Sequence, residues 1–140
     1  MTILVWVLLG FALWTIAVLM AGIGIRRWAL ILTGRAQLVD FPADQAHGSM
    51  AYRRAVRAHA NCVENLPVYG AIVFALSASQ TASATIDTLA VVFLIARVCQ
   101  SMVHMSFTET NATVLIRFSF FAVQLAVMLT LIVMVMGHVR

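Results

Sequence analysis

An all-α integral membrane protein, folded as an up-down bundle of four helices, is the architecture that three features of the sequence predict. Hydrophobic residues make up 63% of the 140-residue chain against 10% charged, where a soluble domain is about half apolar and a quarter charged. There are too few charges to coat a water-facing surface, and the mean hydropathy is +0.99. The apolar residues fall in long runs instead of repeating at the period of an amphipathic helix or strand, and most arginines gather in one connector.

The first span is the run from Ile3 to Ile25, 23 residues without a charge and with Thr15 as its main polar interruption. It is long enough to cross about 30 Å of hydrocarbon at about 1.5 Å per residue. Only Met1 and Thr2 precede it, and it is longer than the apolar core of a cleaved signal peptide, so the segment is expected to remain. From Arg26 to about Met50 the composition turns to arginine, Asp40, Pro42, Asp44, Gly34, His47 and Gly48, which predicts a loop with a short interfacial helix at Trp28 to Leu32. A second span is expected from Ala51 to about Ser79. Its first half is unusually polar, and Pro67 is expected to bend it and free backbone groups.

The Ser- and Thr-rich stretch from Gln80 to Thr85 predicts a turn. Asp87 opens a third span reaching about Phe107, Thr108 to Ala112 forms the next turn, and Thr113 to about Met136 is the fourth span. Short connectors make residues 1–140 one domain, packed by small residues and van der Waals contact. The Gly22-x-Gly24 pair follows no strand, so it reads as helix-packing glycine, not as a dinucleotide fingerprint.

All nine basic residues are arginine. Arg26, Arg27, Arg35, Arg53, Arg54 and Arg57 lie in or at the edge of the first connector, without the basic stripe and interleaved aromatics of a nucleic-acid surface. Their clustering reports topology: that connector is expected to be cytoplasmic, with both termini on the opposite side. Cys62 and Cys99 fall inside spans without C-x-x-C spacing and suggest neither a disulfide framework nor a metal site.

The topology gives meaning to the polar residues inside the spans, where an arginine at the bilayer centre costs about 2.5 to 3.5 kcal/mol on insertion scales. On the second helix Arg54, Arg57, Asn61 and Glu64 are spaced by three, four and three and share a face. Arg97, Gln100 or Ser101, His104 and Thr108 form a stripe on the third, and Thr113, Arg117, Phe120 and Gln124 on the fourth. All three stripes fall in one leaflet. The first helix contributes none, leaving it to face lipid or form an apolar wall.

Within that leaflet Arg57, Arg97 and Arg117 stand against Glu64 alone, a net charge of +2 with neutral histidines. Uncompensated buried charge is costly. A bound anion or a solvent-filled cavity resolves it, and the planar guanidinium suits carboxylates held bidentately. Structural alternatives stand beside these: Arg57 or Arg97 pairing with Glu64, and Arg57 and Arg117 reaching out to headgroups. His59 lies roughly 200° around the helix from Arg57, off the stripe, whereas His104 is on one. No H-x-x-x-H or E-x-x-H pair suggests a metal, and no serine or cysteine has an orienting base.

The run Arg54-Ala55-Val56-Arg57-Ala58-His59-Ala60-Asn61-Cys62-Val63-Glu64-Asn65-Leu66-Pro67 resembles the signature of the MAPEG family, the membrane-associated proteins in eicosanoid and glutathione metabolism. Its R-A-x-x-N-x-x-E core, followed by proline, sits at the start of the second helix. Chain length, four spans and the arginines of the last two helices extend the resemblance over nearly the whole chain.

The resemblance implies a homotrimer of four-helix subunits that binds glutathione, as cosubstrate, at subunit interfaces near the cytoplasmic face. Arg57, Asn61 and Glu64 would hold the glutathione backbone, with Glu64 on its ammonium and arginines on its carboxylates. Arg26 or Arg27 would add a contact from a neighbouring subunit, and Arg97 matches the third-helix arginine. Arg117 matches the fourth-helix arginine that faces the sulfur in catalytic members, with His104 as helper. The binding set is thus Arg54, Arg57, Asn61, Glu64, Asn65, Arg97 and Gln100.

Asn65, Gln100 and His104 stand where several eicosanoid-forming members have tyrosine, and Arg53 replaces a frequent acidic residue. Conjugation of glutathione to hydrophobic electrophiles, with reduction of lipid hydroperoxides as a further activity, is therefore the implied function rather than specialised eicosanoid synthesis. A noncatalytic membrane module binding glutathione, a lipid or another anion is the alternative. A small multidrug transporter ranks below both, because such transporters place their acidic residue on the first helix. Absence of an organellar presequence and the bare four-span architecture fit a bacterial inner membrane.

Overall fold

The computed structural model describes residues 2–41 and 47–138; Pro42 and Asp44, read above as loop residues, lie outside them. Among the described residues the chain is all-helical, with helices α1 (Ile3–Leu32), α2 (Met50–Ala78), α3 (Ala84–Ser106) and α4 (Asn111–His138) and a single 3-10 turn at Leu38–Asp40. Helices α1, α3 and α4 are long and apolar enough to cross a membrane. The 29 residues of α2 span about 44 Å at 1.5 Å each. Arg53, Arg54, Arg57, Asn61, Glu64 and Asn65 keep its apolar content lower, so the structure has three strongly apolar spans and a fourth, polar helix beside them.

Helix α1 departs from the sequence expectation. It does not give way to a loop at Arg26 but continues through a π-helical turn at Met20–Gly24 into Ile25–Leu32, so Trp28 to Leu32 is the end of α1 and not a separate helix. No breaker intervenes before Thr33, and Gly34, at φ +68°, then ends it as glycine does at little steric cost. The π turn has a packing consequence. The buried residues Leu4, Val7, Phe11, Thr15 and Val18 recur at three or four, but the next is Ile23, five further on. The inserted residue turns the last segment so that Ile23, not Gly22, occupies the buried position.

Local signals set the other helix starts. The Ser49 hydroxyl accepts from the Tyr52 amide at 3.3 Å at the head of α2, and the Ser83 hydroxyl from the Ile86 amide at 3.2 Å at the head of α3. At the head of α4 the Thr113 amide donates to Thr110 Oγ1 at 3.2 Å and the Thr110 amide to Thr113 Oγ1 at 2.8 Å. This reciprocal pair satisfies two amides that the helix leaves open. Pro67 lies inside α2 without ending it.

The main core joins all four helices around three fully buried rings. Tyr69 stacks on Phe93 with centroids 4.0 Å apart and planes 4° from parallel, and Phe11 meets Phe93 edge-on at 5.4 Å. A second, smaller cluster of Ile23, Tyr52 and Ala55 lies at the arginine-rich end. There α1 and α2 approach so closely that a Cβ added to Gly22 would sit 2.8 Å from the Ala55 Cβ. Gly22→Ala is therefore expected to lower bundle stability by about 1–3 kcal/mol, the usual cost of overpacking. Thermal unfolding in detergent checks this: the midpoint should fall, and Ala55→Gly in the same chain should restore much of it.

Candidate functional site

Three polar stripes meet where the spacing on each helix directs them. Asn61, Glu64 and Asn65 from α2, Arg97, Gln100 and His104 from α3, and Arg117 from α4 line one cavity of about 380 Å³, completed by Val114, Phe118 and Phe121. Seven of the nine residues assigned from sequence are thus neighbours. Arg54 and Arg57 are not in the lining. The Arg54 Nε donates weakly to the Met105 carbonyl at 3.4 Å, tying the start of α2 to the end of α3. Arg57 is exposed and pairs with Glu109 at 3.0 Å.

Glu109 is the residue that sequence reasoning missed. It sits in the connection between α3 and α4, and its Oε1 also lies 3.6 Å from Arg117 Nη1. The net charge of the cluster is therefore +1 and not the +2 obtained from Glu64 alone. Neither pairing of Arg57 or Arg97 with Glu64 forms: among the described residues the ion pairs within 4.0 Å are those of Glu109. The turn holding Glu109 follows the end of α3 that carries His104 and precedes the start of α4 that carries Arg117, a proximity that places it at the same end of the bundle.

Arg97 is the electrostatic centre of the site. It is 0% exposed, and none of its three guanidinium nitrogens makes a hydrogen bond among the described residues. Its Cζ lies 5.6 Å from the Phe11 ring centroid, so α1 does contribute, by presenting a π face to the cation. The Cys62 thiol and Glu64 are its electrostatic neighbours. Cys62 is buried and meets Ser101 Oγ at 3.5 Å, while Ser101 donates to the Arg97 carbonyl at 3.0 Å.

The remaining polar residues divide into tethered and open groups. Gln100 donates to the Arg117 carbonyl at 3.1 Å and accepts from Gln124 Nε2 at 3.1 Å, and Gln124 also donates to the Phe120 carbonyl at 3.0 Å. This network fixes α3 against α4 and holds the backbone of Arg117. Asn65 bonds back to the Asn61 carbonyl at 2.8 Å. His104 Nε2 is buried and makes no hydrogen bond among the described residues. His59 does not line the cavity. Arg26 and Arg27 line a separate pocket of about 170 Å³, where the Arg27 Nε donates to the Tyr52 hydroxyl and its guanidinium lies over Phe41 and Tyr52.

A polar cavity with a buried cation at its base and three apolar side chains along one wall suits an anionic ligand meeting an apolar one. A comparison with protein families finds that the model for the MAPEG family matches residues 2–137, nearly the whole chain. No curated protein matches it.

An unpaired buried guanidinium costs stability, and a hydrophobic side chain of similar length removes that cost. Arg97→Met is expected to stabilise the ligand-free protein by about 1–3 kcal/mol, read as a higher thermal midpoint. A lower midpoint would show that Arg97 is held by structural partners instead of being left for a ligand.

Proposed function

The chain belongs to the MAPEG family of membrane helical bundles, and from that premise we propose that it is a membrane transferase conjugating glutathione to hydrophobic electrophiles. Membership supports a membrane protein of glutathione or eicosanoid metabolism; the activity is our reading. One observation carries it. Among the described residues the Arg97 guanidinium meets no hydrogen-bond acceptor in bonding geometry, yet it lines a cavity, and a fully buried cation calls for an anion beyond the influence of Cys62 and Glu64.

Glutathione, as substrate, brings two carboxylates, one ammonium and a thiol. Arg57 and Arg97 take the carboxylates, Glu64 takes the ammonium, and Asn61, Asn65 and Arg54 contribute hydrogen bonds around them. Gln100, already bonded to Gln124 and to the Arg117 backbone, positions Arg117 more than it binds ligand. Arg117 faces the sulfur. A free thiol of this kind has a pKa of about 8.5, and a fixed cation in a low-dielectric site lowers it. The proton leaves to water, the sulfur lone pair forms the bond to the electrophilic carbon, and the leaving group departs with the bonding pair. His104, whose Nε2 is open, is placed to donate a hydrogen bond to the departing group or to the sulfur. Val114, Phe118 and Phe121 form the wall along which an apolar electrophile enters from the bilayer.

The working unit is a homotrimer with Arg26 or Arg27 reaching the site of the next subunit, set in a bacterial inner membrane. The arginine-rich connector faces the cytoplasm, following the positive-inside rule. A binding module without turnover is the second reading. The pairing of Arg117 with Glu109 favours it, since that contact occupies the cation needed for thiol activation.

Thiolate absorbance on titration with glutathione, followed by addition of a generic aryl halide, tests both. Arg117→Ala should abolish the thiolate signal and lower kcat by about 100-fold or more while the oligomer stays intact on size exclusion. Glutathione binding without conjugation across a broad electrophile panel would establish the second reading instead.

A further inference from the structure

We propose that Glu109 is a built-in competitor for the anionic ligand, a carboxylate that bridges Arg57 and Arg117 until the ligand displaces it. This rests on the glutathione reading above. Of the five acidic residues in the chain, Glu109 lies on neither a helix nor the basic connector. It sits in the short connection between α3 and α4. One oxygen, Oε1, serves both guanidinium groups, at 3.0 Å to Arg57 and 3.6 Å to Arg117.

The geometry makes this bridge easy to form and easy to break. The connection is short, so the carboxylate stays at high effective concentration beside both arginines. Sharing one oxygen between two cations forgoes the bidentate pairing that gives an arginine and a carboxylate their strength. The side chains of Arg57 and Glu109 are 67% and 37% exposed, and exposed pairs of long side chains are weak. Arg117, at 16%, is the more sheltered partner and gains most from exchanging Glu109 for a better anion.

The consequence is a threshold on the ligand. To reach Arg57 and Arg117 together, a ligand must replace the contacts that Glu109 makes to both. A molecule with several anionic groups at the right separation does so, whereas a simple monoanion replaces one contact and leaves the other. In the ligand-free state the same carboxylate separates two like charges, which keeps the ends of α2 and α4 from repelling each other. Glu109 is thus a determinant of affinity and does not touch the reacting atoms.

The test is calorimetric titration of glutathione into detergent-purified wild type, Glu109→Gln and Glu109→Asp. Glu109→Gln, which keeps the shape and removes the charge, should bind about fivefold more tightly and give more thiolate absorbance at a fixed pH. Glu109→Asp, which keeps the charge, should bind like wild type. Binding by Glu109→Gln where wild type shows none would also support the competitor. Equal or weaker binding by Glu109→Gln beside a wild type that binds overturns it, making Glu109 a residue that positions Arg117 while the glutathione reading survives. If none of the three chains binds millimolar glutathione, the proposed function falls and this inference falls with it.

Discussion

A guanidinium group held away from water at membrane depth organises this bundle. Placing an arginine near the centre of a bilayer costs about 2.5 to 3.5 kcal/mol on insertion scales, and Arg97 is fully buried among helices with no hydrogen-bond acceptor among the described residues. The side chains around it follow from that burden. Phe11 turns its ring toward the cation at 5.6 Å, and behind it the stacked pair of Tyr69 and Phe93 forms a rigid floor. The small side chains of Cys62 and Ser101, in contact at 3.5 Å, let α2 and α3 approach while leaving room for the long arginine.

Helix α2 depends on its neighbours for the same reason. Its charged first half makes it a poor membrane span by itself, and in lipid no hydrophobic drive pushes helices together. It is retained because α1 meets it in close backbone packing at Gly22 and Ala55, because α3 and α4 turn polar faces toward it, and because Glu109 reaches Arg57 from the next connection. The Gln100 to Gln124 bond braces α3 against α4 from the other side of the site. Each contact links different helices, so the site and the helix packing at this end rest on the same side chains.

Much of this was legible in the sequence, for a definite reason. Polar residues at spacings of three and four inside apolar runs can only form stripes, and alternating chain direction puts those stripes in one leaflet. That reasoning placed Asn61, Glu64, Arg97, Gln100, His104 and Arg117 together without coordinates, and the family resemblance added Asn65. It also set Arg54 and Arg57 on the α2 stripe, although neither lines the cavity in this structure, and it passed over Glu109, because a turn residue belongs to no stripe and its reach depends on where the connection folds. Phe11 was hidden likewise: a phenylalanine in an apolar run carries no sign that it faces a cation. The π turn was hidden too, since its trace is the five-residue step from Val18 to Ile23, and that is visible only once burial is known.

Polarity here is divided along the helices more than around them, and this decides where affinity can come from. The large cluster runs from Leu4, Leu76, Ile86 and Leu131 up to the Phe11, Tyr69 and Phe93 rings, and none of its members is charged. The cluster at the other end contains only Ile23, Tyr52 and Ala55 as buried apolar residues, and the cavity lies between the two. Buried apolar packing is therefore concentrated at one end, with Arg97 at its edge over Phe11, while the other end holds the loosely paired carboxylate of Glu109. A site built this way gains stability from its ligand, since whatever satisfies Arg97 adds, at the edge of the large cluster where Phe11 meets the cation, a contact that the described residues do not provide.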